Sequence, residues 1–292
     1  MPFQSGLEHI VREAELLAPY TWLRLGGAAE YFAEPTTVDE LRELARRCQQ
    51  EGRSVRLLGG GSNVLVRDEG VAGLVVHLSA ATFCEVVVRN GILVAGGGAK
   101  LAHLIATAVR EGLAGLETLV GLPGTVGGAL HKNASSHGGD IGQWTRLATV
   151  LDHAGDITTR PREDLFFGYR ESNLDELAIL EAEFILEPSD PQELTKRMQK
   201  LWIINKAAQP LRNQNTAMLF KDRGGINAGT LIEQAGLKNA RVGGAELSER
   251  NPNFVVTQPR VTSRDVLELI DQLRDKVAER LGVELETAIE IW

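Results

Sequence analysis

The chain is poor in the features that most readily betray a protein's chemistry. Its 292 residues include two cysteines, Cys48 and Cys84, too few for a disulfide framework and wrongly spaced for a metal site. Both read as core thiols in a reducing compartment. The six histidines are scattered; His131 and His137 lie close in sequence but have no ligand partners, so no metal is expected. No apolar run approaches the roughly 20 residues that span a bilayer. Near the N-terminus, Glu8, Arg12, Glu13 and Glu15 interrupt what would have to be the apolar core of a signal peptide. These absences predict a cytoplasmic protein with no membrane association. Positive charge is short as well. Thirty-one Lys and Arg against 39 Asp and Glu leave a net charge of −8, and no basic run offsets it, which argues against nucleic acid as a partner. There is no internal repeat and no low-complexity tract.

Glycine, by contrast, is concentrated. Gly121-Leu122-Pro123-Gly124-Thr125-Val126-Gly127-Gly128-Ala129 packs four glycines and a proline into nine residues, with Asn133 close behind. Such a stretch lets backbone approach a neighbour without side chains intervening. A second loop, Gly59-Gly60-Gly61-Ser62-Asn63, follows the strand-like run Ser54 to Leu58. Either loop alone fits a structural turn as well as a binding loop. Two of them, each after an apolar run, suggest one large phosphate-bearing ligand gripped by backbone N–H groups. The dinucleotide fingerprint of a Rossmann fold is excluded, because its third glycine would fall on Val64.

The remaining pattern mixes elements without regular alternation. Thr37 and Glu40 form a capping box for a helix over 36–50, with Val38, Leu41, Ala45 and Cys48 on one face. A strand at 54–58 and an apolar run at 72–76 complete a small βαβ-like unit. Asn90-Gly91 predicts a type I′ hairpin within 86–94, and a helix follows near 100–111. A second hairpin turns at 153–156. Ser189-Asp190-Pro191 opens a helix to about Lys206, ended by Gln209-Pro210. The last helix starts near Thr262 or Ser263, carries Val266, Ile270, Leu273, Val277 and Leu281, and stops at Gly282. The closing run 283–292 alternates like a half-buried strand. The class is therefore α+β.

The order of motifs resembles one family, the flavoprotein UDP-N-acetylenolpyruvoylglucosamine reductases of bacterial cell-wall synthesis, from about Leu17 to the C-terminus. Thr21 to Gly27, containing Arg24, is similar to the family's opening segment. The two glycine loops are similar to its two FAD loops. Phe167-Gly168-Tyr169-Arg170-Glu171-Ser172 matches its Tyr-Arg-x-Ser signature. Gln209-Pro210, Phe220-Lys221, Ala228 to Leu237 and Gly243-Gly244-Ala245 follow in family order. The resemblance implies a vanillyl-alcohol-oxidase-type FAD-binding domain of two α+β subdomains and a C-terminal α/β substrate domain. In this chain these fall at 25–188 (split near 80) and 205–292, after an N-terminal segment 1–24. It also implies FAD as cofactor, NADPH as reductant and a UDP-sugar as substrate. By resemblance, FAD contacts fall on Arg24, Gly59, Gly60, Gly61, Ser62, Asn63, Gly121, Pro123, Gly124, Thr125, Gly127, Gly128 and Asn133. Substrate contacts fall on Tyr169, Lys221 and Asn251, and the catalytic Arg is Arg170. A guanidinium can hold a carboxylate or enolate in a bidentate fork.

Two family catalytic groups are absent. With Gln209-Pro210 and Phe220-Lys221 in register, the proton-donating Ser falls on Met218, and a thioether has no proton to give. The terminal Glu falls on Ala288. Thr216, Glu286 and Glu290 are the neighbouring candidates to stand in. Asn251 replaces the commoner His, and Asp222-Arg223 replaces Asn-Pro. Three readings follow: a reductase using other proton donors, a non-catalytic FAD- or UDP-sugar-binding paralogue acting through a protein partner, and a flavin oxidase on the same fold. The C-terminal motifs, which resemble the reductases' own, weigh against the third.

Overall fold

Thr37 opens the first helix as its sequence requires. In the computed structural model, which describes residues 3–208, 210 and 215–292, α1 (Val38–Glu51) has a complete Thr37/Glu40 capping box and ends at Gly52 with φ +62°. Leu41, Leu44, Ala45 and Cys48 form its buried face. Burial pushes the Cys48 thiol up to about 11, so it packs as an inert hydrophobe. Two further helices, α2 (Ala81–Cys84) and α3 (Leu101–Arg110), precede the short α4 (Val126–His131). The long α5 spans Pro191–Ala208, and Asp190 Oδ1 accepts from the Gln192 and Glu193 amides at its start.

Two compact units result. The first comprises 1–15, 29–60 and 72–203; the second comprises 16–28, 61–71 and 204–292. The second unit thus takes up two short segments from the N-terminal third, one of them beginning inside the first glycine loop. The first unit has two cores. In one, α1 packs with Leu74, Val76, Phe3 and Phe83 at a sheet ordered Val11–Leu16, Ala28–Ala33, Val71–His77, Val55–Leu58. The last two strands are parallel, with Val55 opposite Leu74, as the βαβ-like reading requires. In the other, α3 and α4 contribute Leu104, Ala108, Val126 and Leu130 against Ala95, Ala148, Val150 and Ala182. Their sheet is antiparallel, ordered Ile157–Pro161, Thr145–Leu151, Ala178–Phe184, Ile92–Gly96, Val86–Arg89. Asn90 (φ +51°) and Gly91 (φ +78°) make its two-residue turn.

The second unit has a four-stranded antiparallel sheet ordered Thr216–Met218, Phe254–Thr257, Ala245–Leu247, Arg241–Val242. The helices α6 (Ala228–Gln234) and α7 (Ser263–Leu281) bury Leu231, Ile232, Val266, Leu269, Ile270 and Leu273 with it. Gly282 stops α7 at φ +67°.

One predicted element is corrected. Residues 283–292 do not form a single strand. Only Glu290–Ile291 is extended, parallel to Val64–Leu65, while Thr287 makes an isolated antiparallel bridge to Phe220. The tail meets two different segments at separate positions, and neither pairing extends along the run. Gln209 lies outside the described residues.

Candidate functional site

In the first unit the two glycine loops meet backbone to backbone. A β-carbon on Gly60 would lie 2.7 Å from Gly124 Cα, and one on Gly59 would lie 2.8 Å from Thr125 Oγ1. Glycine is required there by contact between the loops themselves. Gly121 (φ +88°) and Gly124 (φ +117°) need glycine for backbone conformation as well, with Pro123 between them.

The helix that follows does not offer the anion site expected of its N-terminus. The Val126 amide donates to Ala99 O (2.8 Å), the Gly127 amide to Gly97 O (2.8 Å) and the Gly128 amide to the capping Thr125 Oγ1 (3.3 Å). The first-turn donors that would otherwise face a phosphate are satisfied inside the protein. Gly59 and Gly60 differ: their amides donate to no acceptor among the described residues. Gly128 differs in another way. It is exposed, and a β-carbon there would meet nothing nearer than Thr125 Oγ1 at 3.4 Å. Packing does not demand glycine at 128, so its bareness leaves room for a ligand.

A cavity of about 140 Å³ opens beside Gly59, Thr125, Gly127 and Gly128. Its wall also includes Gly97, Gly98, His77, His131, Glu176 and several leucines. The run Gly96-Gly97-Gly98 leads towards α3. These glycines lie against carbonyls: a β-carbon would sit 1.8 Å from Ile179 O at Gly97 and 2.1 Å from Leu78 O at Gly98.

Asn133 is buried, and its carboxamide is committed to the protein. Its Nδ2 donates to Gly168 O at 2.8 Å, and its Oδ1 accepts from the Gly142 amide at 3.1 Å. Ser172 Oγ donates to His131 O at 3.1 Å. These bonds hold the hairpin Phe167–Gly168/Glu171–Ser172 to the end of α4. Tyr169 and Arg170 are its two turn residues. Tyr169 is exposed, and Arg170 sits at φ +59°, a left-handed conformation uncommon for a side-chain-bearing residue.

In the second unit, the amides of Gly61, Ser62 and Asn63 likewise donate to no acceptor among the described residues. Gly61, at φ +65°, accepts at its carbonyl from the Trp22 amide (2.9 Å) and lies against Tyr20 O, 2.1 Å from where a β-carbon would be. Arg24 is exposed and donates to Pro19 O. Asn63 Nδ2 donates to Ala288 O at 3.0 Å, and Asn63 O accepts from the Glu290 amide at 2.9 Å. The Ala288 amide in turn donates to Leu219 O at 2.7 Å. Positions 218 and 288, where sequence reading finds the two missing groups, are thus close neighbours.

Two of the three stand-in candidates are otherwise placed. Thr216 is buried in the sheet. Glu286 Oε1 lies 2.5 Å from Lys221 Nζ, and the Glu286 carbonyl accepts from the Lys221 amide at 2.8 Å. Asn251 Oδ1 accepts from the Asn253 amide at 3.0 Å. Asn253, which sequence reading passed over, clamps Phe220 from both sides: its Oδ1 accepts from the Phe220 amide (2.9 Å) and its Nδ2 donates to Phe220 O (2.8 Å). Asp222 Oδ1 accepts from the Ala228 amide at 2.9 Å, anchoring α6. Among the described residues no group of three His, Cys, Asp or Glu is placed to hold a metal.

Glycines without side chains and unused amides at Gly59 to Asn63 suit a diphosphate-bearing cofactor such as FAD, so the residues present fit that group. Known proteins agree. Residues 29–159 match the model of the FAD binding domain family, and residues 209–292 match that of the UDP-N-acetylenolpyruvoylglucosamine reductase C-terminal domain. The chain is 38% identical to the UDP-N-acetylenolpyruvoylglucosamine reductase of Rhodopirellula baltica, over 99% of this chain and 95% of that one. It is 41% identical to UDP-N-acetylenolpyruvoylglucosamine reductase 2 of Symbiobacterium thermophilum, over 97% and 92%. The crystal structure of the Thermus caldophilus UDP-N-acetylenolpyruvylglucosamine reductase superposes with a TM-score of 0.81 at 34% identity, covering 97% of this chain and 99% of that one. Physcomitrella patens BBE-like 1, at 13% identity and a TM-score of 0.57, shares the fold alone. The α+β architecture is that of the vanillyl-alcohol-oxidase type of FAD-binding proteins. The chain belongs to the UDP-N-acetylenolpyruvoylglucosamine reductase family.

Proposed function

We propose that this chain is an FAD-dependent reductase that uses NADPH to reduce UDP-N-acetylglucosamine-enolpyruvate to UDP-N-acetylmuramate, and that its second half-reaction is slow. Family membership along almost the whole chain, together with intact glycine loops, carries the first part. The contact between Leu219 and Ala288 carries the second, because it sets both missing groups in one small region.

FAD held there would supply the hydride chemistry that links NADPH to the enolpyruvyl double bond. In the first unit the Gly59 and Gly60 amides would donate to its diphosphate, with Gly121, Pro123, Gly124, Thr125, Gly127 and Gly128 shaping the approach; in the second, Gly61, Ser62 and Asn63 are proposed cofactor contacts. Arg170 would bind the substrate carboxylate and the negative charge that grows on it. Tyr169, Lys221 and Asn251 are proposed substrate contacts. Protonating the carbanion needs an acid at a fixed place. Met218 has no proton to lend, and Ala288 has no carboxyl. Glu286 is engaged with Lys221, and Thr216 is buried, so neither is ready to substitute. Water is then the proton source. No helix among the described residues is long and apolar enough to cross a membrane, and the proposal places the reaction in the cytoplasm, where NADPH is available.

Following NADPH oxidation with and without the UDP-sugar tests this reading. Slow but substrate-dependent oxidation supports it, and complete indifference to the substrate overturns it.

A further inference from the structure

In the second unit the strand Thr216–Met218 pairs with Phe254–Thr257, Met218 facing Phe254. Beyond Met218 the named strand ends, yet the chain stays held. The Leu219 amide donates to Asn253 O at 2.9 Å. At Phe220 the partner is a side chain instead of backbone. The Asn253 carboxamide takes both main-chain groups, accepting from the amide at 2.9 Å and donating to the carbonyl at 2.8 Å. A carboxamide offers the same acceptor and N–H donor as a peptide group, so Asn253 stands in for the next residue of a partner strand. Phe220 is fully buried and Asn253 is 2% exposed. Neither bond can be replaced by solvent without opening the structure.

Leu219 and Phe220 lie between two positions that matter to the chemistry. Met218, where an acid is missing, precedes them, and Lys221 follows. The Lys221 amide donates to Glu286 O at 2.8 Å, and Lys221 Nζ lies 2.5 Å from Glu286 Oε1. That carboxylate is exposed, and such a pair contributes little to stability and can be exchanged for another anion. An ammonium has three N–H donors, so a bond to Glu286 leaves others for a ligand. The ammonium rides on a flexible four-carbon stem. Where it can reach is set by where its backbone is anchored. Asn253 bonds the residue immediately before Lys221 at both of its main-chain groups, and both ends of its own carboxamide are thereby committed.

Resting on the reading of Lys221 as a substrate contact, we propose that Asn253 is a positioning residue for substrate binding. By replacing a strand partner at Phe220, it fixes the point from which the Lys221 side chain reaches the UDP-sugar. It acts through Lys221 and makes no contact with the substrate itself.

The test uses the flavin-loaded full chain, titrated by calorimetry with UDP-N-acetylglucosamine-enolpyruvate and no NADPH. Asn253→Asp keeps an acceptor for the Phe220 amide and loses the donor to the Phe220 carbonyl. It is expected to weaken binding about tenfold, the strength of one hydrogen bond. Lys221→Met should weaken binding too. In the Lys221→Met background Asn253→Asp should then cost no more than about twofold, because an effect that runs through a lost group is not felt twice. A merely structural role would cost the same in both backgrounds. Asn253→Ala buries no carboxylate and is the second variant, expected to show the same dependence on Lys221. Undiminished binding in both Asn253 variants, or a loss that persists in full without the Lys221 ammonium, overturns the positioning role and leaves the substrate reading intact. A wild type that does not bind the UDP-sugar, or binding unaffected by Lys221→Met, overturns the reading on which the inference rests, and the inference with it.

Discussion

The Ala288 amide donates to the Leu219 carbonyl at 2.7 Å, which brings position 288 against the residue next to position 218. A hydroxyl at 218 and a carboxyl at 288 would serve one intermediate. Groups that share an intermediate couple, and their effects do not add. Met218→Ser with Ala288→Glu is therefore expected to speed reoxidation of the reduced flavin by the UDP-sugar more than the two single changes combined. The wild type should lag a relative that has both groups by at least about 10²-fold, since positioned acids are worth about 10²–10⁴. Stopped-flow absorbance reads both. Wild-type reoxidation as fast as an intact relative's would sink the idea and bring Glu290 forward as a stand-in.

Reduction of the flavin by NADPH should be spared. That step depends on the orientation of two rings and needs neither a proton at 218 nor a carboxyl at 288. Anaerobic mixing with NADPH is expected to bleach the flavin band at a rate unchanged in the double variant. If the double variant alters bleaching as much as reoxidation, the two positions act on flavin binding instead.

Much of this was legible in the sequence, for identifiable reasons. Thr37 with Glu40, Asn90-Gly91 and Gly282 are local signals whose geometry is decided within a few residues, and each appears where expected. The tail at 283–292 misled because alternation reports exposure, not partners: Thr287 and Glu290 are held by segments some 70 and 226 residues earlier. Asn133 and Asn63 follow glycine loops and read as ligand contacts, yet their carboxamides reach Gly168 and Ala288, and no local pattern encodes such long-range bonds. The cavity wall at His77 and Leu174 had no signal at all. The side chains that line it come from strands and loops distant in sequence.

The glycines separate into two kinds that one substitution can distinguish. At Gly60 a β-carbon collides with the Gly124 backbone at 2.7 Å, whereas at Gly128 it finds no contact closer than 3.4 Å. Gly60→Val should lower the denaturation midpoint of the flavin-free protein. Gly128→Val should leave that midpoint nearly unchanged while weakening flavin uptake, because its side chain enters space kept for the ligand. Normal flavin binding by Gly128→Val would show that the exposed glycine does not border the cofactor.

Acid should loosen the first unit through Glu40. Burial works to raise its pKa, but hydrogen bonds from His9, Thr36 and Thr37 overcome this and hold the carboxyl at about 2, against an ordinary 4.5. A depressed carboxyl contributes stability that is fully present above its unfolded value and is lost as pH falls through the folded one. Stability is thus expected to decline between about pH 4.5 and pH 2, and Glu40→Gln should flatten that part of the urea-midpoint profile. An unchanged slope in Glu40→Gln would assign the acid lability to other carboxylates.

Asn133 is expected to matter through the hairpin that carries Arg170. Its side chain supplies a donor to Gly168 O and an acceptor to the Gly142 amide, and it is only 4% exposed. Asn133→Ala removes both partners at once and leaves the buried Gly142 amide unpaired, which typically costs about 1–3 kcal/mol, while the half-buried Gly168 carbonyl loses less. The hairpin would keep its two-strand pairing and the Ser172 bond to His131 O but lose the tie through Asn133, and Arg170 would be presented less firmly. Two measurements separate this from a direct cofactor contact. Urea unfolding of the flavin-free protein should show the loss of stability, and substrate affinity should fall while flavin affinity changes little. A variant that keeps its flavin-free stability but releases flavin would instead make Asn133 a contact of the cofactor itself.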